Sequence, residues 1–122
     1  MSVTDFLDNS YKLNHSIQAK KHILHTIEDN ISITTDTALL KKLKSEHKKL
    51  KNAINDEIRA QMKALELIEK VQDVTLRTVL EYKYICCLNV YDIADKLHYS
   101  TRHIVRMHSK AIEEVKKFYK SA

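Results

Sequence analysis

From Phe6 onward the apolar residues Phe6, Leu13, Ile17, Leu24, Ile27 and Ile31 fall at intervals built from threes and fours. That spacing gathers side chains on one stripe of an α-helix, and it predicts a helix from about Asp8 to Asp29. Lys20 interrupts the stripe where its aliphatic stem can lie along apolar surface while its ammonium reaches water. The stretch Asn30-Ile-Ser-Ile-Thr-Thr-Asp36 mixes β-branched residues with side chains that compete for backbone hydrogen bonds, so it reads as a connection, with Thr35 or Asp36 capping the next element. A longer series follows: Leu40, Leu43, His47, Leu50, Ile54, Ile58, Met62, Leu65 and Ile68 keep the same spacing without a breaker. It predicts a helix of roughly 50 Å. Consecutive four-residue steps from Leu50 to Met62 depart from a strict heptad and shift the stripe around the helix. The two helices are expected to form an antiparallel coiled-coil hairpin over residues 1–72, with the second overhanging the first by about a dozen residues. The overhang requires a partner, which is either the rest of the chain or a second copy of it.

The pattern changes at Asp73. This residue can cap a helix that places Leu76, Val79, Leu80, Tyr84 and Ile85 on one face, and residues 86–88 break the spacing. Asn89 is a second cap, with Asp92 three residues on in the position of a capping box, although Asp is shorter than the preferred Glu. A short helix from Val90 to Leu97 follows. His98-Tyr99 makes a tight turn, Ser100 caps again, and a last helix runs from Thr101 to about Phe118 with Ile104, Met107, Ala111, Val115 and Phe118 inward. Two short capped helices joined by such a turn predict a helix-turn-helix over residues 73–122, and the fold class is all-α.

Composition supports the helical reading, since the chain has no glycine and no proline. No apolar run reaches the length of about 20 residues that a membrane span needs, and Met1 to Ser10 carries neither a basic nor an apolar leader. The expectation is a cytoplasmic protein without a membrane partner. The net charge of +5 becomes informative once it is located. Acids and bases balance through residue 95, whereas beyond it Lys96, Arg102, Arg106, Lys110, Lys116, Lys117 and Lys120 face only Glu113 and Glu114. A basic amphipathic end suits a polyanion, as it also suits a solvated surface. A second cluster, Lys41, Lys42, Lys44, Lys48, Lys49 and Lys51 around Glu46, reads first as a solvated helix face.

The string from Tyr84 to Ile112 resembles region 4 of bacterial sigma factors, through Ile93-Ala94, Leu97, Ser100, Ile104 and Ala111. With the charged helical first half, the chain is similar to the small ArpU- and RinA-type late-gene regulators of phages and prophages that infect Gram-positive bacteria. The resemblance is specific over residues 73–118 and compositional over residues 1–70. It implies a sequence-specific transcription regulator that binds double-stranded DNA, with the helix beginning at Ser100 in the major groove and the preceding helix bracing it. Thr101, Arg102 and Arg106 then fall at base-edge positions, and Lys110 at the far end of the groove or a phosphate. Arg suits guanine because it holds O6 and N7 together. His103 and the amides at Ser100 and Thr101 suit phosphate. The hairpin would pair two such heads in a homodimer or higher homo-oligomer. Cys87 and His98 stand where the family commonly has glycine, so those turns must either hold a side chain in a left-handed conformation or be built differently.

Other chemistry is poorly served. His22 and His25, with His15 two turns away, could begin a zinc site, but no carboxylate or thiol is placed to finish it, and they read as surface histidines. His47 on the apolar stripe reads as a buried polar residue that sets helix register. Adjacent Cys86 and Cys87 read as reduced thiols packed beside Leu80 and Leu88. There is no glycine-rich phosphate loop and no nucleophile elbow, so neither an enzyme nor a cofactor is expected. Two alternatives share the fold: a modulator that contacts RNA polymerase or a sigma factor, and a small terminase-like packaging subunit that assembles into a ring.

Overall fold

The computed structural model describes residues 2–119, and every regular element among them is helical. Helix α1 spans Val3–Ile33 and α2 spans Thr37–Ile68. Helix α3, Val74–Leu80, continues directly into a π-helical segment, Glu81–Ile85. Helices α4, Val90–Leu97, and α5, Thr101–Lys116, complete the chain.

Helix α1 starts five residues before the expected point. The Ser2 side chain accepts the Asp5 amide at 3.1 Å, which satisfies one of the first-turn donors and sets the start at Val3. At the other end α1 continues to Ile33 through what was expected to be connection. There the polar side chains do bond backbone, but to carbonyls behind them: Ser32 Oγ donates to Asp29 O at 2.6 Å and Thr34 Oγ1 to Asn30 O at 2.5 Å. Such back-bonding is compatible with the last helical turns. The turn is thus only residues 34–36, and Asp36 caps α2 by accepting from Ala38 and Leu39 amides.

Helices α1 and α2 lie side by side and run in opposite directions, since Lys20 meets Glu57 while Glu28 meets His47. With α1 extended at both ends the helices have 31 and 32 residues, which removes the expected overhang. The far end of α2 is covered from two sides. Val3 and Leu7 of α1, Ala64, Leu67 and Ile68 of α2, Leu80, Tyr84, and Ala111, Ile112 and Val115 of α5 form one buried cluster with Val71. A second cluster joins Val79, Ile93, Ala94, Ile104 and Met107, so it holds α3, α4 and α5 together.

The helix from Asp73 widens at Glu81, where the Cys86 amide reaches back five residues to Glu81 O at 3.0 Å. The Leu88 amide then closes on Tyr82 O at 2.9 Å around Cys87, whose φ is 58°. Leu97 to Tyr99 closes similarly around His98, with φ 59°: the Tyr99 amide bonds Ala94 O at 3.0 Å in a Schellman turn. Both residues therefore occupy the left-handed conformation that glycine adopts at least cost. The end of α5 tightens at Lys116, and the amides of Lys117 and Phe118 bond three residues back rather than four.

Candidate nucleic-acid interface

Helix α5 is positioned by its apolar side. Ile104, Met107, Ala111 and Val115 are all buried, as expected, and Ile112 joins them on the flank. Phe118 is half-buried just beyond the helix. Burying a stripe of this width leaves the opposite side of a 3.6-residue helix in water. Arg102, His103, Arg106 and Lys110 are exposed there, with Ser100 exposed and Thr101 half-buried at the start. The six candidate residues thus share one end of one helix, and the acids Glu113 and Glu114 come only after them.

Charge pairing divides the basic residues into two sets. Lys116 Nζ lies 3.0 Å from Glu113 and Lys117 Nζ 3.1 Å from Glu114. Arg102, Arg106 and Lys110 have no ion-pair or hydrogen-bond partner among the described residues. Lys96 on α4 is likewise exposed and unpaired among them. The first three turns of α5 therefore present cationic groups that no neighbouring carboxylate neutralises, and an anion can engage them without displacing an existing contact.

The start of α5 is built by local chemistry. Ser100 is extended and its Oγ accepts the His103 amide at 3.1 Å. The amides of Thr101 and Arg102 remain without a protein acceptor among the described residues, as the first donors of a helix do. The Tyr99 and His103 rings sit with centroids 4.7 Å apart, a tilted ring contact across the start of the helix. Asn89 caps α4 through the Asp92 amide at 2.9 Å. The reciprocal arm of the expected capping box is not formed among the described residues, because the Asp92 side chain is one methylene shorter than Glu.

Behind the exposed face, Tyr84 Oη and His108 Nε2 form a 2.7 Å hydrogen bond that sequence reasoning missed. The available signal was His108 at a half-inward position, one residue past Met107. The cysteines differ from expectation. Cys86 is exposed and only Cys87 is half-buried, because the left-handed turn at Cys87 ends the helix before Cys86 can pack inward. Burial pushes the Cys87 thiol above its ordinary pKa, with Cys86 adding in the same direction and a hydrogen bond from Asn14 opposing. His15, His22 and His25 are exposed, and no three metal-ligating side chains come together among the described residues. No described helix is long and apolar enough to cross a membrane.

Comparison of the chain with family models, with characterised proteins and with solved structures finds no match.

Proposed function

We propose that the chain is a sequence-specific double-stranded-DNA-binding regulator of phage or prophage genes, with α4, the His98 turn and α5 acting as a helix-turn-helix. In this reading α1 and α2 are the coiled-coil hairpin that precedes it. The observation that carries the proposal is the unpaired basic face of Arg102, Arg106 and Lys110 on a helix whose other side is locked into the core. A rigid helix with exposed arginines on its first turns has the shape and the donors that a major groove accepts. Arg102 and Arg106 read base edges together with Thr101, while Lys110, His103 and the amides at the Ser100 cap hold phosphates. The resemblance of residues 73–118 to sigma region 4 points to the same reading.

The test is binding of the purified protein to labelled duplex fragments from around its own gene, with salt and competitor titrated. Arg102→Ala and Arg106→Ala should each cost about 1–3 kcal/mol on the preferred fragment and leave the helical circular dichroism intact. Unaltered DNA binding in both variants would refute the assignment of α5 as reading helix and direct attention to RNA polymerase or a sigma factor.

A further inference from the structure

The lysine-rich part of α2 is not evenly distributed around the helix. Lys41, Lys44, Lys48 and Lys51 follow one another at three- and four-residue steps, so they form one row about 15 Å long on one flank. Asn55 and Arg59 continue the row, and no acid of α2 falls on it over that length. Glu46 lies elsewhere and is engaged by Lys49 at 3.5 Å. Glu57 lies on the flank that faces Lys20 and Ser16 of α1. All four lysines of the row are exposed and have no ion-pair partner among the described residues. Arg59, by contrast, is held by Asp56 at 2.8 Å.

Such a row works against the helix that carries it. Like charges three and four residues apart destabilise a helix, and a single glutamate in the row would replace repulsion with attraction. The helix forms without that relief, and the apolar residues on its other side supply the stability. The row is also distant from the core formed with α5. Lys51 precedes Ile68 by 17 residues and Lys41 by 27, which along a helix is about 25 and 40 Å.

We infer that Lys41, Lys44, Lys48 and Lys51 form a second phosphate-contacting surface, which engages the backbone of the same duplex outside the site that α5 reads. The inference rests on the duplex-binding reading above and adds a sequence-independent contact made by the α1–α2 pair. Regularly spaced ammonium groups fit a polyanion with regularly spaced charge, and lysine, a strongly hydrated point charge, serves for affinity rather than base discrimination.

The experiment compares wild type with the quadruple variant Lys41→Gln, Lys44→Gln, Lys48→Gln and Lys51→Gln on a long duplex and on one trimmed to the α5 site. Removing the row eliminates repulsion, so thermal stability should not fall. On the long duplex the slope of log affinity against log salt should become shallower by about 0.9 for each lysine engaged, with the preferred sequence unchanged. On the trimmed duplex the variant should match wild type. An unchanged slope on the long duplex, with Arg102→Ala still weakening binding to the preferred fragment, overturns this inference alone. A reduced slope with Arg102→Ala silent sinks the assignment of α5 and leaves the lysine row standing. If wild type binds no duplex at low salt, both fall, and retained binding to anionic vesicles would then identify the row as a lipid-facing surface.

Discussion

The Tyr84 hydroxyl and His108 Nε2 lie 2.7 Å apart, and this hydrogen bond ties the π-helical segment to the middle of α5, two residues beyond Arg106. Tyr84 is only 1% exposed, so its hydroxyl has little access to water as an alternative partner. Tyr84→Phe leaves the imidazole nitrogen unpartnered and should lower stability by about 1–3 kcal/mol, read as a shift in denaturant midpoint with the slope unchanged.

The same pair makes stability depend on pH. Burial pulls the His108 imidazole below its ordinary value of 6.5, Lys83 adds to that, and Asp8 opposes it. The unfolded chain therefore takes up a proton near pH 6.5 while the folded chain resists it. Stability should fall as pH drops through 6.5 and level off below the lowered folded value. Burial, with Asp8 assisting, moves the Tyr84 phenol upward from 10, so at the alkaline end stability should decline once the unfolded phenol ionises above that value. Urea melts at pH 7.5 and 5.5 would check the acid limb. His108→Gln should flatten the difference, and an equal difference in that variant would locate the titration elsewhere.

His98 occupies left-handed backbone with an exposed side chain that makes no hydrogen bond among the described residues. An L-residue in that conformation costs roughly 1–2 kcal/mol that glycine avoids. His98→Gly should therefore stabilise the protein by about 1 kcal/mol, after the entropy that glycine adds to the unfolded chain is offset. His98→Val should destabilise it, because a β-branched residue tolerates positive φ least. Melting temperatures of the two variants, one above and one below wild type, would verify the turn between α4 and α5.

The turns at Cys87 and His98 show what the sequence made legible and what it did not. The all-helical class, the caps at Asp36, Asp73, Asn89 and Ser100, and the inward residues of α5 all follow from local rules, because a cap or an i, i+4 series acts within a few residues. Resemblance flagged Cys87 and His98 as glycine positions, and both are left-handed. What depended on distant contacts was missed. Val3 and Leu7 are buried by α2 and α5, more than fifty residues away, although Ser2-Val-Thr-Asp5 already carried a capping signal. The π-helical turn, the exposure of Cys86 and the Tyr84–His108 bond likewise arise from how the segments settle on one another. For the exposed face of α5, residue type and spacing indicate which side chains reach outward, but their freedom from carboxylate partners is visible only once Glu113 and Glu114 are seen to turn toward Lys116 and Lys117.

Leu7 has no exposed surface, and its cluster contains Tyr84 and Val115. Leu7→Ala should cost about 2–5 kcal/mol. Because the cluster is shared, amide-exchange protection should drop in α5 as well as in α1. Protection lost from α1 alone would mean that the start of the chain docks independently of α5.

Between α1 and α2 the Lys20 ammonium, expected to reach water, instead donates to Glu57 Oε1 at 2.6 Å and to Ser16 Oγ at 2.6 Å, and Ser16 Oγ donates to the same carboxylate at 2.9 Å. Burial acts to raise the Glu57 pKa, but the hydrogen bonds from Lys20 and Ser16 and the Lys20 charge outweigh it, and the value lies below the ordinary 4.5. The stability this contributes is present above 4.5 and is lost as pH falls through the lowered value. Glu57 Oε2 is buried without a hydrogen-bond partner among the described residues, so the carboxylate is desolvated on one side and matched on the other. Removing only the cation leaves that charge uncompensated. Lys20→Met should accordingly cost about 1–3 kcal/mol. Lys20→Met combined with Glu57→Leu should recover most of the loss, because two apolar side chains at a half-buried interhelical contact need no partner. A double variant as unstable as the sum of its singles would show that the two residues contribute through separate contacts, not through their pairing.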